Sequence, residues 1–195
     1  MTSFFIHESS KLDEGATIGD GTTIERFSHI MARSTIGRNC TIGQNVVIFS
    51  DCIIGNNVTV NENVSIYTGV TIEDGVYIGP SVAFTNISCP RSQIEHAQEI
   101  VPTRVKNGAS IGANATIICG VTLNSYCLIG AGSVVTRDVP DFGLSYGNPA
   151  RLHGWICKCG EQLKKLKGNL YFCPKCGERY VLIEDNLVSV GKDYS

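Results

Sequence analysis

The 195-residue chain lacks a strong charge of either sign: 16 Lys and Arg stand against 18 Asp and Glu, for a formal net charge of −2. Without a basic stripe, neither nucleic acid nor a membrane surface is an expected partner. No apolar run approaches the roughly 20 residues needed to cross a bilayer. The opening Met1-Thr2-Ser3-Phe4-Phe5-Ile6-His7 has no basic stretch, so it does not read as a secretory signal. A cytoplasmic location is therefore expected. The nine cysteines do not form a secreted disulfide framework either, because their number is odd and four of them sit in close pairs near the C-terminus.

What the chain carries instead is a period of six. Every sixth residue from Ile6 to Phe84 is apolar, fourteen positions of fourteen, and the register resumes at Val105 and runs to Val135, six of six. Four residues after each of these stands a small one, as at Ala16, Thr22, Ser28, Ser34, Cys40, Val46 and Cys52. Glycine often follows the large residue, as at Gly19, Gly37, Gly43, Gly55, Gly79, Gly112 and Gly130. Such a period fits neither an α-helix nor a simple alternating strand. It predicts a triangular solenoid in which each hexad is a short strand plus a corner and three hexads close one coil. The large aliphatics fill the prism, and the small residues pack beside them at the corners. Stacked coils then pair their strands about 4.7–4.9 Å apart and bury apolar surface only against their neighbours. Cys40, Cys52 and Cys127 fall at the small position and are expected to be interior packing.

With 18 residues per coil, residues 18 apart lie one above another. One column holds Arg26, Gln44, Glu62 and Pro80, and beside it stand Phe27, Asn45, Asn63 and Ser81. The next holds His29, Val47, Ser65 and Ala83. Further on come Met31, Phe49, Tyr67 and Thr85, then Ala32, Ser50, Thr68 and Asn86. Arg26, His29, Gln44, Asn45, Glu62, Asn63, Tyr67 and Asn86 are thus expected to converge on one edge of the prism. Asn56, Asn57 and Asn114 read as turn formers, because Asn tolerates the left-handed backbone region. For Asn45 and Asn63, turn chemistry and substrate contact both stay open. Asn86 opens the one large interruption, an external loop over 86–104, and irregular loops inside regular repeats are usually functional.

Over residues 6 to about 150 the pattern resembles the hexapeptide-repeat acyltransferase superfamily. The resemblance implies a left-handed parallel β-helix, a homotrimer, and active sites between subunits. Phe27-Ser28-His29-Ile30, Gly43-Gln44-Asn45-Val46, Asn63-Val64-Ser65-Ile66-Tyr67, Gly79-Pro80-Ser81, Phe84-Thr85-Asn86 and Pro90-Arg91-Ser92 look more closely like one subfamily. It comprises the N-acetyltransferases of nucleotide-linked 3-amino sugars, especially UDP-2-acetamido-3-amino-2,3-dideoxyglucuronate, which serve surface-polysaccharide synthesis. Gly112-Ala113-Asn114-Ala115-Thr116-Ile117, the stretch Gly130 to Pro140, and Gly147-Asn148-Pro149-Ala150-Arg151 are similar to many CoA-dependent members. Glu25 and Arg26 stand where the subfamily usually has an aromatic and a His, and Cys89 where it usually has Asn. A dTDP-linked 3-amino-dideoxyhexose therefore stays open as the acceptor. A zinc-dependent carbonic anhydrase on this fold needs three converging His, and only His29 is on the candidate edge. A solenoid scaffold without enzymatic activity is the remaining alternative.

The resemblance implies acetyl transfer from acetyl-CoA to an amine. Transfer needs a positioned neutral amine, donors for the thioester oxyanion and a path for one proton. Backbone N–H groups around Gly112, Ala113, Gly130 and Ala131 are expected to hold the pantetheine arm and the oxyanion. Arg137 and Arg151 are expected to meet CoA phosphates as charge-assisted donors. The side-chain oxygen of Asn86 would accept from the amine and orient its lone pair. His29 is a candidate for substrate contact or base, against simple packing. Loop residue His96 is a weaker base candidate, and Arg91 a ligand for a diphosphate or a sugar carboxylate.

The domain boundary is expected at 153/154. Beyond it, Cys157-Lys158-Cys159-Gly160 and Cys173-Pro174-Lys175-Cys176-Gly177 form two close Cys pairs, each followed by Gly. This spacing reads as a zinc ribbon, with Cys157, Cys159, Cys173 and Cys176 closing a structural tetrahedral site. Iron or disulfides are the other uses of such pairs. A module of residues 154–195 this small needs its metal to fold. Lys164, Lys165 and Lys167 are too short a basic run for a nucleic-acid footprint. The expected architecture is all-β: a left-handed parallel β-helix over 1–153 with a small C-terminal zinc-ribbon module.

Overall fold

The structure, a computed structural model, describes residues 3–94, 99–184 and 186–192. It contains strands and no α-helix among the described residues. None of its elements is a helix long and apolar enough to cross a membrane.

The period of six becomes three parallel sheets that form the faces of a prism. The first face stacks Phe5–Ile6, Thr23–Ile24, Thr41–Ile42, Thr59–Val60, Tyr77–Ile78, Ser110–Ile111 and Leu128–Ile129. The second stacks Lys11–Leu12, His29–Ile30, Val47–Ile48, Ser65–Ile66, Ala83–Phe84, Thr116–Ile117 and Val134–Val135. The third runs from Thr17–Ile18 through Val70–Ile72 and Thr103–Val105 to Thr122–Leu123. Registers such as Thr23↔Thr41 and Ser65↔Val47 have the expected spacing of 18 residues. In each two-residue strand the second residue points inward, and in the three-residue strands Val70–Ile72 and Thr103–Val105 the first and third do. Ile24, Ile42, Val60, Ile78 and Ile111 on the first face are all fully buried. Burial of one such aliphatic side chain contributes about 1.5–3 kcal/mol.

The corners are as regular as the strands. Phe27, Asn45, Asn63, Ser81 and Asn114 occupy one column between the first and second faces, and all have φ between 56° and 61°. Asn45 and Asn63 are therefore left-handed corner residues, and the Asn45 Nδ2 donates to Asn63 Oδ1 at 2.9 Å. Small buried hydroxyls brace the same corners: Ser28 Oγ donates to the Gly43 carbonyl at 2.8 Å. Cys40, Cys52 and Cys127 are buried in the corners as expected. Burial pushes the thiols of Cys52 and Cys127 up to about 12, so they are inert packing.

The interruption is one insertion. Ala83 pairs with Thr116, 33 residues on instead of 18, so 15 extra residues leave the prism between the second and third faces. The bridge Ile87↔Ile100 and the bond from Val101 N to the Asn86 carbonyl, 2.8 Å, close its base. The coil resumes at Thr103–Val105. Thr103 and Arg104 are thus strand residues, two positions earlier than the expected loop end, because their backbone already pairs with Val70 and Thr71.

At the C-terminal end Gly143–Gly147 adds to the first face and Ala150–Trp155 turns back on it antiparallel. That last strand runs across the expected 153/154 boundary. Four antiparallel strands follow, Lys164–Lys165, Leu170–Phe172, Glu178–Ile183 and Asn186–Lys192. A second apolar cluster of Phe142, Trp155, Cys157, Leu163, Cys173, Tyr180 and Leu187, with Tyr126 against it, seats this module on the end of the prism. Tyr126 stacks on Phe142 at 5.4 Å, and Phe142 meets Tyr180 edge-on at 5.2 Å.

Candidate active site

The eight residues expected on one edge lie on one face and both of its corners. Arg26, Gln44, Asn45, Glu62 and Asn63 stand at the corner between the first and second faces. His29 is on the second face itself, and Tyr67 and Asn86 are at the corner between the second and third. From Arg26 to Met31, across one face of the prism, the chain advances five residues, roughly 16 Å at about 3.3 Å per residue. The two groups therefore stand apart on a single chain.

The first corner carries the proposed CoA segment. A groove of ≈ 340 Å³ is lined by Tyr77, Ser110, Leu128, Gly112, Gly130 and Ala131, among others. The Gly112 N–H donates to the Ile129 carbonyl at 2.8 Å and the Gly130 N–H to the Ser145 carbonyl at 2.9 Å. Neither is free for a ligand. The Ala113 and Ala131 N–H groups have no hydrogen-bond partner among the described residues, so they are the donors available to an amide or an oxyanion. The two glycines let adjacent coils approach: a Cβ on Gly112 would lie 2.5 Å from the Ala131 N.

Of the two expected phosphate ligands, Arg151 lies opposite Tyr146, whose Cβ covers Gly130. It is exposed, and its Nη1 donates to the Ala150 carbonyl at 2.8 Å. Arg137 is exposed at the other corner, following Val134–Val135. The structure does not bring these two arginines to one place.

At the second corner the Asn86 Nδ2 donates to the Thr68 carbonyl at 3.3 Å. This fixes the carboxamide and leaves its Oδ1 as an acceptor. Beside it, Phe49 and Tyr67 pack at 4.6 Å between ring centroids. Arg91 is exposed and its Nη1 donates to the Pro90 carbonyl at 2.8 Å. His96 lies outside the described residues.

His29 has a partner that the column map did not identify. Its Nε2 lies 3.0 Å from Asp13 Oδ1, and Lys11 Nζ lies 2.9 Å from the same oxygen. The bond from Lys11 and then that from His29 hold the Asp13 carboxyl below its ordinary value. Lys11 opens the strand Lys11–Leu12 and Asp13 directly follows it, and both side chains reach the same point. The other feature missed is Phe27, 67% exposed in the left-handed column where its neighbours are mostly Asn.

The thiols of Cys157, Cys159, Cys173 and Cys176 lie within 4.8 Å of one another. Cys157 and Cys176 are 3.5 Å apart, as are Cys159 and Cys173. Burial pushes the Cys157 thiol up to about 12. Burial acts the same way on Cys173, but backbone N–H donors from Cys176 and Lys175, with the neighbouring thiols of Cys159 and Cys176, together bring that thiol down to about 7. Four sulfurs at this spacing suit a closed tetrahedral cation site. The Tyr180 hydroxyl lies 3.2 Å from the Cys157 sulfur and ties the cluster to the aromatic seam.

Comparison with known proteins matches the fold. The bacterial transferase hexapeptide (six repeats) model matches residues 15–50, 51–86 and 102–137. The dTDP-3-amino-3,6-dideoxy-alpha-D-galactopyranose 3-N-acetyltransferase of Aneurinibacillus thermoaerophilus is 54% identical over 78 residues, 40% of this chain and 40% of that enzyme. The bifunctional protein GlmU of Thermotoga maritima is 33% identical over 87 residues, 42% of this chain and 20% of that protein. The matched stretches thus span less than half of these relatives. Two solved structures share the fold. A hexapeptide transferase family protein from Anaplasma phagocytophilum has a TM-score of 0.63 at 19% identity, covering 75% of this chain and 84% of that one. The acetyltransferase domain of PglB from Neisseria gonorrhoeae, in complex with acetyl coenzyme A, has a TM-score of 0.52 at 23% identity, covering 76% and 57%. With the repeat model matched over more than half its length, the chain belongs to the bacterial transferase hexapeptide family.

Proposed function

We propose that the chain is an acetyl-CoA-dependent N-acetyltransferase whose acceptor is the 3-amino group of a nucleotide-linked sugar. The observation that carries the reading is Asn86. It heads the single insertion, and its amide nitrogen is tied to the Thr68 carbonyl, so its oxygen is presented to an incoming N–H. The subfamily likeness favours UDP-2-acetamido-3-amino-2,3-dideoxyglucuronate. A second reading, a dTDP-linked 3-amino-dideoxyhexose, is favoured by the 54% identity to an enzyme named for such a substrate. The UDP-linked product would serve surface-polysaccharide synthesis.

In the step itself the amine nitrogen attacks the thioester carbonyl. A C–N bond forms, the C–S bond breaks, and the amine proton ends on the thiolate sulfur of CoA. Asn86 Oδ1 accepts one amine N–H and aims the lone pair. The unpartnered N–H groups of Ala113 and Ala131 serve the pantetheine amides and the developing oxyanion. Arg151 and Arg137 take CoA phosphates. Arg26, Gln44, Asn45, Glu62, Asn63, Tyr67 and Arg91 line the acceptor side, with His29 held by Asp13 between the two corners.

Reacting atoms must approach to about 3–3.5 Å. A separation of roughly 16 Å between half-sites on one chain supports a composite site, in which the first corner of one copy meets the second corner of another. A homotrimer with three such sites is the proposed assembly. In the C-terminal module, Cys157, Cys159, Cys173 and Cys176 hold a structural zinc ion, which fastens the module to the prism end.

The test is Asn86→Ala. A loss of roughly 100-fold in kcat is expected, with KM for acetyl-CoA little changed, as for removal of one positioning or electrostatic partner. Wild-type turnover in the folded variant would remove Asn86 from the mechanism.

A further inference from the structure

We infer that the groove on the third face is a phosphate-binding site, built on Arg104 and Lys106. It rests on the acetyltransferase reading for the identity of its ligand. The groove encloses ≈ 470 Å³, and its lining includes Arg104, Lys106, Thr103, Thr122, Asn124 and Asp138. It lies on neither of the two corners assigned above.

Three observations point to an anionic ligand. Arg104 is exposed, and its guanidinium has no hydrogen bond or ion pair among the described residues, so its five side-chain N–H donors are open. Lys106 is fixed beside it, since its Nζ donates to Asn124 Oδ1 at 2.7 Å and retains two further protons. The acid in the groove is already engaged: Asp138 Oδ1 accepts from the Thr122 N–H at 2.7 Å. Two cations facing one committed carboxylate leave a positive balance. Guanidinium and ammonium groups at this spacing are the usual cradle for phosphate oxygens.

The groove is also in the right place. Thr71 lines it, and Thr68, whose carbonyl holds Asn86, is three residues earlier on the same chain. Three residues of extended chain span roughly 10 Å. A sugar ring with its amine on Asn86 would direct its glycosidic diphosphate toward Arg104.

The phosphate has two sources, the acceptor nucleotide and CoA, and one titration distinguishes them. Binding of CoA, UDP and dTDP to the full chain is measured by calorimetry for wild type, Arg104→Gln and Arg104→Lys. Arg104 is exposed and unpartnered, so both variants are expected to melt as wild type does. Loss of one charge-assisted contact weakens the phosphate ligand roughly 10- to 100-fold in Arg104→Gln. Arg104→Lys recovers part of that loss. Weakening of UDP or dTDP alone assigns the groove to the acceptor, and weakening of CoA alone assigns it to the donor. Unchanged affinity for all three in Arg104→Gln overturns the inference while leaving the acetyltransferase reading intact. Wild-type protein that binds none of them contradicts both.

Discussion

Replacing Gly112 by Ala would set a Cβ 2.5 Å from the Ala131 N and 2.9 Å from both the Ala131 Cα and the Gly130 carbonyl carbon. These are backbone atoms of the next coil, and no rotamer change can relieve them. Restoring even 3.4 Å, the lower edge of ordinary contact, requires the coils to part locally by 3.4 minus 2.5, or 0.9 Å. The bonds that join those coils, Gly112 N to the Ile129 carbonyl at 2.8 Å and Thr116 N to the Ser133 carbonyl at 2.7 Å, must stretch with them. Overpacking costs about 1–3 kcal/mol and a weakened hydrogen bond about 0.5–1.5 kcal/mol. Gly112→Ala should therefore lose about 2–4 kcal/mol. Gly132 is the control. A Cβ there meets nothing within 4 Å, and its φ of +69° is close to that of Asn45, Asn63 and Asn114 in the same column. Gly132→Asn should stay within about 0.5 kcal/mol of wild type. Urea unfolding at one fixed protein concentration measures both. A Gly112→Ala midpoint equal to wild type, or an equal loss in Gly132→Asn, would refute the tight coil contact.

Elemental analysis of freshly purified protein should find one zinc per chain. Less than half an equivalent would sink the structural zinc site, and Cys173→Ser should lose the metal together with the near-UV signal of the Tyr126, Phe142 and Tyr180 seam. The pH response of the Arg33–Asp51 pair has a defined sign. The hydrogen bond from Arg33 holds the Asp51 carboxyl below its ordinary 3.8, so the pair's stabilisation is present above that pH and is lost as pH falls through the lower folded value. Asp51→Asn should lower the melting temperature slightly above pH 3.8 and converge with wild type below it. A gap that widened in acid would contradict this. Because both side chains are exposed, added salt should shrink the effect.

The repeat was legible in the sequence because a six-residue period sets both the strand and the coil. Once Ile24 and Ile42 were aligned, every register from Phe5 to Val135 followed, apart from the insertion. The same arithmetic misjudged the width of a face. A column map states which residues stack, but not how far apart two columns stand. It therefore merged Arg26 and Asn86, which lie at opposite corners. It also left out Asp13, which lies 16 residues from His29 rather than in its column and still reaches it. The apolar restart at Val105 holds, in register with Ile72, while Thr103 sits at a small corner position where Ser34 and Cys52 also stand. The Cys pairs announced a cation site, while the aromatic seam that seats the module involves Tyr126 and Phe142. These two residues lie in corners otherwise read as generic turns.

The central claim is acetyl transfer to a nucleotide-linked 3-amino sugar. It is tested most directly by following free CoA thiol and the mass of the sugar product across UDP- and dTDP-linked 3-amino sugars. The account predicts thiol release matched one to one by N-acetylated product with at least one of these acceptors, and none when the amine is already acetylated. Absence of acceptor-dependent thiol release across both nucleotide series, in protein that carries its zinc and binds acetyl-CoA, would contradict it.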